Sequence, residues 1–323
     1  MSRPLPLLLL AAMLLVVLGF HVLTPFGPLA ELRGHDPRLA AMLLTEIRLP
    51  RTLLAAGYGA VLGIAGAALQ ALFANPLASP DITGASSGAA LGAVAGAYWL
   101  EVASPLALAG FGAGGAGLAM LLLLAVAGKR AETATLLLAG LAVALAAGAG
   151  TTLLLALAPS PFAFYDSFEW LMGSFVDRSL PQAAAALVPA AVASALLLAR
   201  SRALDLLALG EDVAASMGVR PHRLAVEVIV LGAIAVGACV SVCGAIGFVG
   251  LIAPFAARRI TRGHPGSALA PAAAIGALLM VLADLALRLG PLGRPIPVGV
   301  VTTVIGTPLF IWIVVTMRRG VTS

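Results

Sequence analysis

Ten long apolar stretches, divided by short polar connections, constrain this chain more than anything else in it. They run over residues 5–26, 52–73, 83–99, 104–127, 134–157, 182–199, 224–243, 247–261, 268–288 and 298–316. A helix needs about 20 apolar residues to cross roughly 30 Å of hydrocarbon, and shorter or tilted spans occur. The pattern predicts an all-α polytopic membrane protein of about ten transmembrane helices, a single transmembrane domain over residues 1–323. Its first partner is the lipid bilayer. With 61% hydrophobic and 10% charged residues, the apolar surface exceeds what one soluble core hides. The net charge of +5 does not point to nucleic acid, because the basic residues are scattered between spans and form no stripe.

An even number of spans puts both termini on one side. Arginines and lysines near helix ends favour a cytoplasmic N-terminus, which leaves twelve of the 19 basic residues inside and seven outside. The outer seven are Arg33, Arg38, Arg48, Arg51, Arg178, Arg288 and Arg294, more than the rule favours. Arg3 precedes the first span, but the apolar run reaches Phe26 without a small-x-small cleavage site, so a retained helix is expected.

Residues 203–223, ALDLLALGEDVAASMGVRPHR, form the one substantial polar island of the second half. Gly210 suits the end of one short turn, Glu211 and Asp212 suit the positive end of the next, and Gly218 suits a left-handed stop. Two very short cytoplasmic helices are expected, with Val213, Ala214 and Met217 as a small apolar face. A docking face and a solvated connector with ordinary caps fit these residues equally well.

Other features carry less. In RLPRTL, Pro50 pre-sets a helix entry and spaces Arg48 and Arg51 one turn apart at the outer surface, as interfacial anchors or as a cationic patch. Gly84, Gly88, Gly92 and Gly96 repeat every fourth residue. Such a ridge is first a packing seam, and second a sliding or pathway-lining surface. Residues 160–182 are the most aromatic part, as a headgroup belt or an outer mouth. Cys239 and Cys243 read as small packing residues. CGAIGFVGLIAPF predicts a short, irregular span. Asp284 lies inside an apolar segment, and an i,i+4 pair with Arg288 is expected to satisfy it.

No GxxxxGK[ST] is present, nor an HExxH or a nucleophile with its base, and His21, His35, His222 and His264 are dispersed. The chain is not expected to be an enzyme, to bind a metal, or to hydrolyse nucleotide through a P-loop.

IRLPRTLLAAGYGAVLGIAGAALQALFANPLASPDITGASSGAALGA, WLMGSF, GEDVAASMG, GAIGFVGLIAPFAARR, ADLALR with PIPVGV, and IGTPLFIW occur in that order. Together they resemble the FecCD-type permeases, the membrane subunits of type II ABC importers for ferric siderophores, haem and vitamin B12. The resemblance implies that fold, with ten helices per subunit and a second permease copy, most simply a homodimer. It also implies two cytoplasmic ABC ATPase subunits, which use ATP and magnesium, and a periplasmic binding protein. No cofactor is expected on this chain, and the location implied is the bacterial inner membrane. Gly210, Glu211, Asp212, Val213, Ala214, Met217 and Gly218 would form the ATPase-coupling loop, and Arg48, Arg51 and Arg288 the docking site for the binding protein. Where the family often has Pro-His after GLI, this chain has Pro254-Phe255. The ASPDITG stretch is more similar to the ferric siderophore branch, with haem and vitamin B12 as alternatives. An ion-driven secondary transporter is the rival class, but such proteins place an ionisable residue at the midplane, and no repeat is evident here.

Overall fold

Each predicted apolar stretch coincides with a helix in the computed structural model, which describes residues 4–102, 104–128, 133–261, 263–290 and 296–321. Arg3, Lys129, Arg130, Arg262 and Arg294, which help to orient the chain, lie outside the described residues. The helices are α1 (Pro4–Leu23), α2 (Phe26–His35), α3 (Pro37–Met42), α4 (Leu49–Leu72), α5 (Ala85–Trp99), α6 (Pro105–Ala127), α7 (Thr133–Ala156) and α8 (Pro161–Leu171). They continue as α9 (Leu180–Ala199), α10 (Ser201–Leu207), α11 (Glu211–Ser216), α12 (Pro221–Cys243), α13 (Val249–Ile260), α14 (Leu269–Leu289) and α15 (Val298–Val321).

Among the described residues six helices are long and apolar enough to cross a membrane, and a seventh is added if the pair 7–23 and 26–35, bent by 56°, counts as one span. That is fewer full-length spans than the ten expected. Two of the stretches form short helices: α5 has 15 residues and α13 has 12, below the roughly 20 a full crossing needs. Short spans need neighbours to cover their ends.

Two packing groups share α12. In the first, α4 lies at the centre and touches α1, α9, α12, α13 and α14; in the second, α5 packs between α6 and α7. A second glycine ridge, carried by Gly59 and Gly63 at the same four-residue spacing, holds the first group together. A side chain at Gly59 would meet the Gly276 carbonyl oxygen at 2.3 Å, and one at Gly63 would meet the Ala272 oxygen at 2.0 Å. Backbone thus touches backbone between α4 and α14, as small-residue seams allow. The predicted ridge does the same for α5 and α6: Gly88 faces the Gly115 oxygen, Gly92 the Phe111 oxygen, and Gly96 the Phe111 ring. Gly84 departs from it. It is the left-handed residue before α5 (φ 75°) and faces α7.

Replacing Gly59 with Val is expected to lower stability by at least about 1–3 kcal/mol, because the added atoms have no space on either backbone. Gly114→Ala on α6, where nothing lies within 4 Å, is expected to be near neutral. Thermal unfolding of the purified variants compares the two.

Pro50 stands in the first turn of α4, as expected from RLPRTL, but the entry is not a free end: helical backbone runs on continuously from Pro37 to Leu72. Proline has no N–H for the carbonyl four residues back, and just before it the ladder widens into a π turn over Leu43–Arg48, with the Leu49 N–H on the Leu44 oxygen. The predicted irregular span is also present. Residues 244–248 are non-helical between α12 and α13, and protein covers them: the Tyr58 hydroxyl donates to the Gly244 oxygen at 3.2 Å and the Ser174 N–H to the Cys243 oxygen at 2.8 Å. Cys239 and Cys243 are buried in the adjoining core. Of the aromatic segment, Phe175 is buried while Phe162, Tyr165 and Phe168 are exposed.

Candidate functional site

At the end of the bundle predicted to be cytoplasmic, the polar island folds as expected into two short helices, α10 and α11. Their ends explain why they stop. Gly210 (φ 106°) cannot continue α10, and Gly218 (φ 87°) closes α11, with its N–H on the Ala215 oxygen at 3.0 Å and the Val219 N–H on the Ala214 oxygen at 3.0 Å. This pair of bonds is a Schellman stop, which favours glycine at the left-handed position.

The apolar face differs in one member. Ala214 is buried and lets α11 sit close to the bundle, whereas Leu209 (61% exposed), Val213 (44%) and Met217 (56%) point outward. Leu209 was missed because it belongs to the connector, outside either helix. Asp212 is exposed beside them, at the N-terminal turn of α11.

Such short helices cannot hold themselves; side chains elsewhere fix them. Leu204 of α10 is fully buried. Asp205 accepts from the Gly266 N–H at 2.8 Å and the Ser267 hydroxyl at 3.2 Å, which ties α10 to the turn before α14. Arg200, at the end of α9, pairs with Glu227 of α12 at 2.8 Å, and Arg223 pairs with the same carboxylate at 3.0 Å. The exposed apolar face therefore stands on a mount joined to α9, α12 and α14. Asp205 had a legible signal: it is a lone acid in an apolar turn.

At the opposite end, the three arginines expected to face a partner are turned onto the chain itself. Asp284 (1% exposed) is not paired with Arg288. Instead, Arg51 grips both of its oxygens at 2.8 Å each, and His21 Nε2 lies 2.8 Å from Oδ2. Nε2 is the donor there, since an ionised carboxylate can only accept. The other ring nitrogen is 2.7 Å from the Thr52 hydroxyl.

Arg288 donates to the His21 carbonyl at 2.7 Å and to the Thr24 carbonyl. Arg48, 3% exposed, donates to the carbonyls of Leu23 at 2.7 Å, Pro25 at 2.9 Å and Val22 at 3.3 Å. One carboxylate cannot balance three guanidiniums. The carbonyls at the C-terminal end of α1, left without helical partners and at the negative end of its dipole, take the other two. Arg48 thus directs three of its five N–H donors onto the chain's own backbone. Arg51 keeps partial exposure (19% of its side chain). His21 was the missed member, and its signal was a single polar side chain in an otherwise apolar helix.

Among the described residues no three His, Cys, Asp or Glu side chains gather as metal ligands. The geometry defines a class: a multi-pass α-helical membrane protein that presents a mounted apolar face at one end and holds α1 through an ionic latch at the other. The chain belongs to the FecCD transport family, whose model matches residues 7–316. It is 39% identical to the vitamin B12 import system permease protein BtuC of Vibrio cholerae over 96% of this chain and 91% of that one. It is 36% identical to the Fe(3+) dicitrate transport system permease protein FecC of Escherichia coli over 90% of this chain and 88% of that one. A solved structure described as a metal-chelate type ABC transporter, in an inward-facing conformation, superposes with a TM-score of 0.82 at 30% identity, covering 96% of this chain and 98% of that chain. The chain is thus an ABC importer permease, a transport component.

Proposed function

We propose that this chain moves a bulky metal chelate across the bacterial inner membrane by alternating access, with both termini cytoplasmic. A separate ATPase in two copies, using ATP and magnesium, docks on Leu209, Val213 and Met217 beside Glu211 and Asp212. A second permease copy completes the pathway, and a periplasmic binding protein delivers the cargo. The observation that carries this reading is the exposed apolar face on α11, mounted through Asp205, Arg200 and Glu227 on three long helices. Motion imposed there reaches the bundle, and the glycine seams offer smooth backbone surfaces along which helices can shift.

The cargo of the first reading is a ferric siderophore, supported by the ferric dicitrate relative. Vitamin B12 is the second, supported equally by the relative at 39% identity. Uptake of labelled ferric siderophore and cobalamin into proteoliposomes, with the ATPase, the loaded binding protein and internal ATP, tests both. ATP-dependent entry of the siderophore alone is expected. Entry of cobalamin alone moves the assignment to the second reading, and entry driven by an ion gradient without ATP overturns the ATP-driven mechanism.

The binding protein's docking surface, in this reading, includes Arg51 and extends to the exposed Arg33 and Arg38. Arg33→Glu with Arg38→Glu is expected to weaken capture of the binding protein, more at low ionic strength than at high, because exposed charges are screened by salt. Surface binding measured at two salt concentrations reads this out, and an unchanged affinity removes both residues from the site. Arg48→Glu is expected instead to reduce the yield of folded protein.

A further inference from the structure

The ion pairs that brace the α10–α11 mount also border a cavity, and the docking face of Leu209, Val213 and Met217 is not part of its lining. Arg200 follows the last residue of α9, and Arg220 precedes the first of α12. Both stand where long apolar helices end. Together with Arg223, Glu227, Gly218 and Val219 they line a cavity of about 540 Å³. Arg200 and Arg223 each spend Nε on Glu227, at 2.8 and 3.0 Å. Among the described residues their terminal nitrogens have no further partner, and the Arg220 guanidinium has none at all. Among the described residues that line the cavity, three guanidiniums stand against one carboxylate.

The chemistry that meets this arrangement is a phosphodiester. Its two free oxygens match the forked donors of guanidinium, which a point-like cation would not do as well. The level in the structure favours a lipid as its source. The arginines sit at the ends of spanning helices, where headgroup phosphates lie, and the cavity wall adds apolar Leu224 and Ala203 for the start of an acyl chain. Basic pockets between helices at this boundary attract anionic lipids through the surface potential as well as through contact. We infer that the cavity between the ends of α9 and α12 binds the headgroup of an anionic phospholipid, in the leaflet that faces α10 and α11. Glu227 sets its strength: it orients two arginines while offsetting one charge.

The test uses the full chain in phosphatidylcholine nanodiscs containing a minor fraction of fluorescent phosphatidylglycerol, and reads lipid enrichment around the protein. Enrichment over labelled phosphatidylcholine is expected for the natural chain. Arg220→Gln with Arg223→Gln is expected to weaken it about thirty-fold, because two guanidiniums no longer attract the phosphate. Glu227→Gln is expected to strengthen it several-fold, a change of sign that general damage to the fold does not produce. Equal enrichment of the two lipids, or no response to either substitution, overturns the site. Full displacement by inorganic phosphate assigns the cavity to a free anion and overturns the lipid. Unchanged enrichment in Arg220→Gln, with weaker capture of the ATPase, assigns it to a protein carboxylate instead. None of these readouts needs transport, so they stand apart from the outcome of the uptake assay.

Discussion

Replacing Asp284 with Ala is expected to destabilise the protein by about 3–5 kcal/mol, the usual cost of removing one member of a buried charge pair. The carboxylate is 1% exposed and holds two groups, the Arg51 fork and His21 Nε2. Its loss strands a guanidinium and an imidazole among apolar helices, where unpaired polar groups are expensive. It also releases α1, whose end is fixed to α4 and α14 through this cluster. Thermal unfolding in detergent, with trypsin cleavage after residue 33 or 38 as a report on α1 docking, measures both effects. Asp284→Leu combined with Arg51→Met and His21→Leu is expected to recover most of the loss, because a buried ionic cluster replaced whole by apolar side chains costs little. If Asp284→Ala unfolds at the natural temperature, the latch does not hold α1.

Changing Val213 and Met217 together to Glu is expected to abolish ATPase assembly and leave the fold intact. Each is exposed in the isolated chain (44% and 56%), so the permease loses almost no buried area when they change. In a complex, burying two such side chains contributes about 1.5 kcal/mol each at the low end, or roughly a hundredfold in affinity. Uptake is expected to fall with assembly. Co-purification of the ATPase and the unfolding midpoint of the free chain separate the two effects, and normal assembly would remove this face from the interface. Glu211→Arg with Asp212→Arg gives a weaker version of the same loss, through charge rather than area.

Much of this architecture was legible from local pattern. The apolar stretches, the stop at Gly218, the seam of Gly88, Gly92 and Gly96, and the break after Cys243 each follow from residues within one or two helical turns. Membrane length, glycine conformation and small-residue spacing act at that range, so sequence alone determined them. The partners of Asp284 were not legible. The nearest basic residue in sequence, Arg288, lies one turn away, yet the carboxylate is held by Arg51, 233 residues distant, and by His21, 263 residues distant. What decided the matter was the end of α1: its orphaned carbonyls claimed Arg48 and Arg288, and the one remaining guanidinium went to the acid. Which helix end lies beside which side chain is fixed only when the helices pack, and hydrogen-bond demand then redistributes the charges. The same holds for Ala214, buried because α11 folds back on the bundle, and for Leu209, which joins Val213 and Met217 only once that turn is made.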